Sequence, residues 1–166
     1  MIIISHRGNI DGTNPRMENS PNYIQTAIDN KFQVEIDLWY VDNILWLGHD
    51  EPQYKIELDW LSYRKDYLWI HAKNFQALEF LTTINKDFKY FWHAFDEYTI
   101  VSTKHIWAHN FVGLKKTENC IVPLLDKRSL ETSFSSNFYA ICTDYSILCK
   151  KLFYENGWVK IQSFFT

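Results

Sequence analysis

Short apolar runs that end in charged or imidazole side chains are the feature that most limits how this chain can fold. Met1-Ile2-Ile3-Ile4 runs into Ser5-His6-Arg7-Gly8. Val34-Glu35-Ile36-Asp37-Leu38 carries two acids, and Tyr67-Leu68-Trp69-Ile70 leads into His71-Ala72-Lys73. Runs of this length, rich in β-branched and aromatic residues, read as strands. Strands are expected at 2–5, 33–39, 44–47, 67–71, 89–93, 99–102, 105–108, 120–124 and 138–142. Helices are expected at 19–31, 57–64, 74–85 and 143–156. The first of these opens with Asn19-Ser20-Pro21, a cap followed by a proline suited to a first helical turn. Strands alternating with helices imply parallel pairing with right-handed crossovers. Eight main strands, with 44–47 as an inserted hairpin arm, predict a compact TIM-like (β/α)8 barrel with reduced outer helices in the second half, one domain over 1–166. Such barrels usually take about 250 residues, and here the links after the fourth to seventh strands are too short for full helices. A flavodoxin-like open sheet is the alternative. In either fold, ligands sit at the carboxyl ends of parallel strands, where the polar residues of this chain fall.

Charge narrows the partners. The net charge is −3, and no block of like charge stands out, so neither a nucleic-acid surface nor a membrane patch is expected. No apolar run approaches the roughly 20 residues of a transmembrane helix, and Met1-Ile2-Ile3-Ile4 is too short for a signal-peptide core. Cys120, Cys142 and Cys149 are odd in number and in apolar surroundings, which fits reduced, buried thiols. A cytoplasmic protein acting on a small molecule is the expectation.

Residues 1–50 collect two histidines, an arginine and two alternating acids, a combination suited to metal-assisted chemistry on a phosphodiester. Glu35 and Asp37 are two apart on a strand, so both side chains share a face. Two unpaired carboxylates there would repel and be costly to desolvate, and a hard divalent cation, Mg²⁺ or Ca²⁺, relieves both costs. The competing reading is a buried ion network with Arg7 and Lys73. Histidine titrates near neutrality, so His6 and His49 suit proton transfer. Arg7 can grip two phosphate oxygens in a fork. Gly8 and Gly48 stand beside these histidines, where backbone approaches a ligand or takes a positive φ.

In order along the chain, Ile4-Ser5-His6-Arg7-Gly8, Glu18-Asn19-Ser20, Val34-Glu35-Ile36-Asp37-Leu38 and Gly48-His49-Asp50 resemble the glycerophosphodiester phosphodiesterase family. Ala140-Ile141-Cys142-Thr143-Asp144 is similar to that family's last strand ending. The resemblance is dense over 2–73 and sparse beyond, apart from 140–144. It implies a TIM barrel that cleaves glycerophosphodiesters with one divalent cation. Glu35 and Asp37 would be metal ligands, His6 and His49 the acid/base pair, and Arg7 and Lys73 the phosphate contacts. Sphingomyelinase D enzymes share a similar arrangement, so a phosphodiester lyase is a neighbouring reading.

The chain departs from that pattern at His71, which stands where the family usually has a carboxylate. An imidazole still binds a divalent cation, but it shifts preference toward Mn²⁺ or Zn²⁺; the alternative is a plain hydrogen bond to Asp37. His93, at the end of the strand at 89–93, is a further substrate- or metal-binding candidate. His105 and His109 flank Trp107 without an assigned role, and Asp144 reads as a cap for the last helix. The expected activity is therefore a metal-dependent phosphodiesterase. A catalytically silent barrel that binds a phosphorylated small molecule or a partner protein is the contrasting hypothesis.

Overall fold

The computed structural model describes residues 1–84, 86–113, 117–132 and 137–155. Among them are ten strands and five helices. The strands are β1 (Ile2–His6), β2 (Gln33–Val41), β3 (Ile44–Leu47), β4 (Tyr54–Ile56), β5 (Leu68–Ala72), β6 (Lys89–Phe91), β7 (Tyr98–Ile100), β8 (Ile106–Ala108), β9 (Cys120–Pro123) and β10 (Ala140–Thr143). The helices are α1 (Pro21–Asp29), α2 (Leu58–Ser62), α3 (Phe75–Thr83), α4 (Lys127–Thr132) and α5 (Ser146–Glu155). Helix α1 starts as its sequence dictates, with the Ser20 hydroxyl accepting from the Tyr23 amide and Pro21 in the first turn. Asn74 does the same for α3 through the Ala77 amide. Asn74 also exchanges two hydrogen bonds with the Tyr40 backbone, which pins the chain beside Lys73 to β2.

All ten strands form one curled mixed sheet. Parallel ladders run β6–β5–β2–β1–β10–β9–β8. Strand β7 pairs antiparallel with β8, and β3 and β4 form an antiparallel extension of β2. The far edges meet through isolated hydrogen bonds, not a ladder: Ser102 N donates to Tyr90 O and the Thr99 hydroxyl to Trp92 O.

This corrects the expected (β/α)8 barrel, and the sheet's curl equally departs from an open flavodoxin-like sheet. Among the described residues no helix follows β6 or β8, and the run at 99–102 is not a parallel strand. Only about five residues separate β7 from β8, and a parallel crossover needs a dozen or more. The two strands can therefore meet only as a hairpin. Sequence reading also missed β4 and α4. The expected helix at 143–156 starts at Ser146, and residue 156 lies outside the described residues.

Strand alternation sorts the core into layers. On β2 and β5, Val34, Ile36, Leu38, Leu68 and Ile70 pack outward with Ile24 and Ala27 of α1 and with Ala77 and Leu81 of α3. A second outer cluster joins Val122 and Ile141 to Leu130 of α4 and to Cys149 and Phe153 of α5. The inward positions Ile4, Trp69, Phe91, Trp107, Ile121, Ala140 and Cys142 make a third cluster inside the curl. Two residues further along the chain from Ile4, Trp69, Phe91, Trp107 and Cys142 are His6, His71, His93, His109 and Asp144. The polar residues thus stand on an apolar floor at the carboxyl ends of the parallel strands.

Candidate metal centre

Arg7 is where β1 leaves the sheet. Its φ of 52° lies in the left-handed region, costly for a residue with a Cβ. The turn is held by Arg7 N donating to Glu35 O and Asn19 N donating to Arg7 O, both at 3.0 Å. Gly8 follows at φ 88°, where a Cβ would sit 3.0 Å from the Tyr23 ring and 3.3 Å from the Ile24 amide. This turn brings the guanidinium back over the strand ends. Its Nη1 donates to Glu18 Oε2 at 3.1 Å. Its Nε lies 3.1 Å from Asp37 Oδ2, near enough to pair in charge but off the axis of a hydrogen bond.

Asp37, 1% exposed, is the hub. Its carboxylate also accepts from Asn19 Nδ2 at 2.9 Å and sits 3.4 Å from Lys73 Nζ and 3.1 Å from His71 Nδ1. Burial alone would raise its pKa. The His71 hydrogen bond and the Arg7 and Lys73 charges outweigh that and hold it well below the usual carboxylate range.

Glu35, 3% exposed, has far less support: the Arg7 amide at 3.3 Å and His6 Nε2 at 4.0 Å. Burial and the neighbouring Asp37 charge push its pKa up, against the pull of His6 and Arg7.

His6 is oriented by a residue that sequence reading misassigned. Asp144 does not cap α5; its Oδ1 contacts His6 Nδ1 at 2.8 Å and accepts from Asn9 Nδ2 at 2.8 Å. Burial works against a charge on the His6 ring, but the Asp144 hydrogen bond and Glu35 outweigh it, so its pKa is raised. Asn9 reaches Glu18 as well, joining the two acids. The signal for Glu18 and Asp144 was present, since both lie in motifs that carry the resemblance. Asn9 had no such signal.

The structure therefore brings His6, Arg7, Glu35, Asp37, His71 and Lys73 into one network. His93 joins through its ring, stacked on His71 at 4.5 Å and 3°. His49 stands apart. Its Nδ1 pairs with the exposed Asp50 at 2.6 Å, and it makes no hydrogen bond to the network among the described residues. It is nevertheless tethered to the rim, because Gly48 N donates to Asp37 O and Trp39 Nε1 donates to Gly48 O. Gly48 is obligatory there: at φ 153° a Cβ would lie 2.0 Å from Glu51 O.

Three features fit a divalent cation between Glu35, Asp37 and His71. One ligand atom from each lies within 4.8 Å of the others. Ligands at about 2.1–2.4 Å from one ion stand about 3–4.8 Å apart, so the spacing matches. Charge is the second feature. Glu18, Glu35, Asp37 and Asp144 face Arg7, Lys73 and, when protonated, His6 as cations among the described residues, which leaves the acids in excess. The third is the hydrogen-bond inventory of His71, which lies between two acceptors, Asp37 Oδ1 at 3.1 Å and His93 O at 3.3 Å. Only a doubly protonated ring donates to both. A neutral ring gives its one N–H to Asp37 or to His93 O and leaves a lone pair facing the other acceptor; with Nε2–H on His93 O, a cation shared by Nδ1 and Asp37 satisfies that lone pair.

Compared with known proteins, the sequence matches no family model and no curated protein. Among the described residues, no helix is long and apolar enough to cross a membrane.

Proposed function

We propose that the protein is a metal-dependent phosphodiesterase acting on a glycerophosphodiester or a similar small diester. The observation that carries this reading is the Glu35–Asp37–His71 cluster standing beside a carboxylate-oriented histidine and an arginine. When bound, the cation supplies Lewis-acid stabilisation of charge on the phosphoryl oxygens. Two carboxylates with one imidazole suit Mn²⁺ or Zn²⁺ as well as Mg²⁺ or Ca²⁺.

The chain's own residues do the rest. Asp144 fixes the His6 tautomer by accepting Nδ1–H, which leaves Nε2 for proton transfer toward the Glu35 side. Arg7 is anchored through Nη1 and Nε, and Nη2, engaged in neither pair, is the donor for a phosphate oxygen. Lys73 adds a point charge at the same edge, and His93 lines the far side of the substrate. His49, with Asp50 on its Nδ1, is the second proton carrier, at the rim where a leaving alkoxide departs. A reduced-thiol, cytoplasmic setting accords with the three buried free cysteines.

The test is turnover of bis(p-nitrophenyl) phosphate and of glycerophosphocholine with Mg²⁺, Ca²⁺, Mn²⁺ or Zn²⁺, with products followed by phosphorus NMR. A linear monoester marks a hydrolase, and a cyclic phosphate marks a lyase of sphingomyelinase D type. His6→Ala should lower turnover by about 10²–10⁴-fold without unfolding the protein. Absence of turnover with all four cations, despite metal binding, would leave a catalytically silent binding protein.

A further inference from the structure

We propose that His93 and His109 form a second metal site at the mouth, selective for a borderline transition cation such as Zn²⁺. His93 follows β6 and His109 follows β8, strands that are not paired with each other. Their Nε2 atoms nevertheless lie 3.1 Å apart. Two imidazole nitrogens on one Zn²⁺, each about 2.0–2.1 Å from it, stand about 3.3 Å apart in tetrahedral geometry. The pair thus already has ligand spacing.

The rings are held in that pose. His93 stacks on His71 at 4.5 Å and is 3° from the plane of Phe91, which itself stacks on Trp107. His109 N donates to Glu97 O at 2.8 Å, which ties its loop to the segment after His93. Stacking fixes the plane of the His93 ring, so its edge meets His109.

Chemistry favours a metal over an anion. A neutral imidazole offers a lone pair rather than positive charge, which a cation takes and an anion does not. Without a metal the two rings share one N–H···N hydrogen bond. His93 Nδ1 is buried without a partner in either tautomer, and unsatisfied groups of this kind concentrate at functional sites. A single exposed hydrogen bond is thin compensation for it. With no carboxylate in the pair, hard cations gain little, whereas imidazole suits Zn²⁺, Ni²⁺ and Cu²⁺. Water or a substrate oxygen completes the coordination. This site stands whether or not the protein cleaves diesters.

The experiment is calorimetric titration of the whole protein with Zn²⁺ and, separately, Mg²⁺. Zn²⁺ should bind two equivalents and Mg²⁺ at most one. His109→Ala should remove one Zn²⁺ equivalent, or weaken it at least tenfold, and leave Mg²⁺ binding unchanged. Because His109 is exposed, the fold should tolerate the change; His109→Gln serves as a second variant. In Glu35→Gln, bound Cu²⁺ should show hyperfine splitting from two nitrogens, and this should be lost on adding His109→Ala. Equal Zn²⁺ stoichiometry and affinity in the wild type and both His109 variants would overturn the proposal. So would a Cu²⁺ spectrum indifferent to His109. Turnover plays no part in these readouts, so failure of the diesterase reading is seen separately.

Discussion

The two sides of the mouth are built from different materials. On one side, β1, β2, β5 and β10 place Arg7, Glu35, Asp37, Lys73 and Asp144 in a network of ion pairs. On the other, β6 and β8 place His93 in a stack with His71 and Phe91 and His109 tilted against it, with no carboxylate hydrogen-bonded to either ring among the described residues. The strands follow suit: β1, β2 and β5 have five to nine residues and β10 four, with β2 and β5 resting on α1 and α3 and β1 and β10 on α5, whereas β6, β7 and β8 have three each. A charge buried at 1–4% side-chain exposure needs a rigid frame, because the pairing geometry offsets its desolvation only when it is good. Packed imidazole rings ask less of their strands.

Removing one member from each side tests that contrast. Asp37→Ala leaves Arg7 and Lys73 without their shared partner. It should cost about 3–5 kcal/mol in chemical denaturation, the usual loss when a buried pair is broken. His93→Ala removes a stacked ring and an orphaned nitrogen together, and should cost less than about 1 kcal/mol. Equal losses would erase the distinction between the two sides.

The same contrast explains what was legible in the sequence. On the charged side, strand alternation alone puts Glu35 with Asp37 and His71 with Lys73, and long strands make alternation readable. On the ring side, three-residue strands carry no period, so β7 read as a parallel strand. The short gap between 99–102 and 105–108 held the correction, since only a hairpin spans it. Strand β4 is shorter than any periodic signal, and α4 buries only Leu130. The cap for α4 was nonetheless in view, as Asp126 Oδ1 accepts from Ser129 N at 2.9 Å. Asp144 went to His6 because strand pairing sets β10 beside β1, with Ser5 opposite Thr143, a long-range register that local capping rules do not see. His109 meets His93 for the same kind of reason.

Within the charged side, Glu35 and Asp37 differ as sharply as the two sides do. Asp37 is held by Arg7, Asn19, His71 and Lys73, and Glu35 has little beyond an amide. Glu35→Gln should therefore stabilise the metal-free protein by roughly 1 kcal/mol, because it removes a charge that burial opposes. It should also weaken Mn²⁺ binding at least tenfold. A Glu35→Gln protein that loses stability in chelator would mean that Glu35 belongs to the ion network as fully as Asp37 does.

The smallest effect is a dependence of stability on pH that the cation changes. The folded-state pKa values of His6 and Glu35 are raised. Their contributions are complete below the unfolded values, about 6.5 and 4.3, and are lost as pH rises through the folded ones. Asp37 is depressed, so its contribution holds above about 3.9 and fades only as pH falls toward its much lower folded value. In chelator, the His6 contribution should thus decline from pH 6 to pH 8 as the ring loses its proton, against the rise given over the same interval by His93 and His109, whose pKa values burial lowers. With Mn²⁺ the slope should become more positive, since the metal competes with protons for Glu35 and the imidazole. Melting curves at pH 6, 7 and 8, with EDTA and with Mn²⁺, read both slopes. The hold of Asp144 on the His6 ring is checked in the same series by Asp144→Asn, which should make the chelator slope more positive while leaving the Mn²⁺ response in place. A chelator slope unchanged by Asp144→Asn would mean that His6 keeps its proton through Glu35 alone.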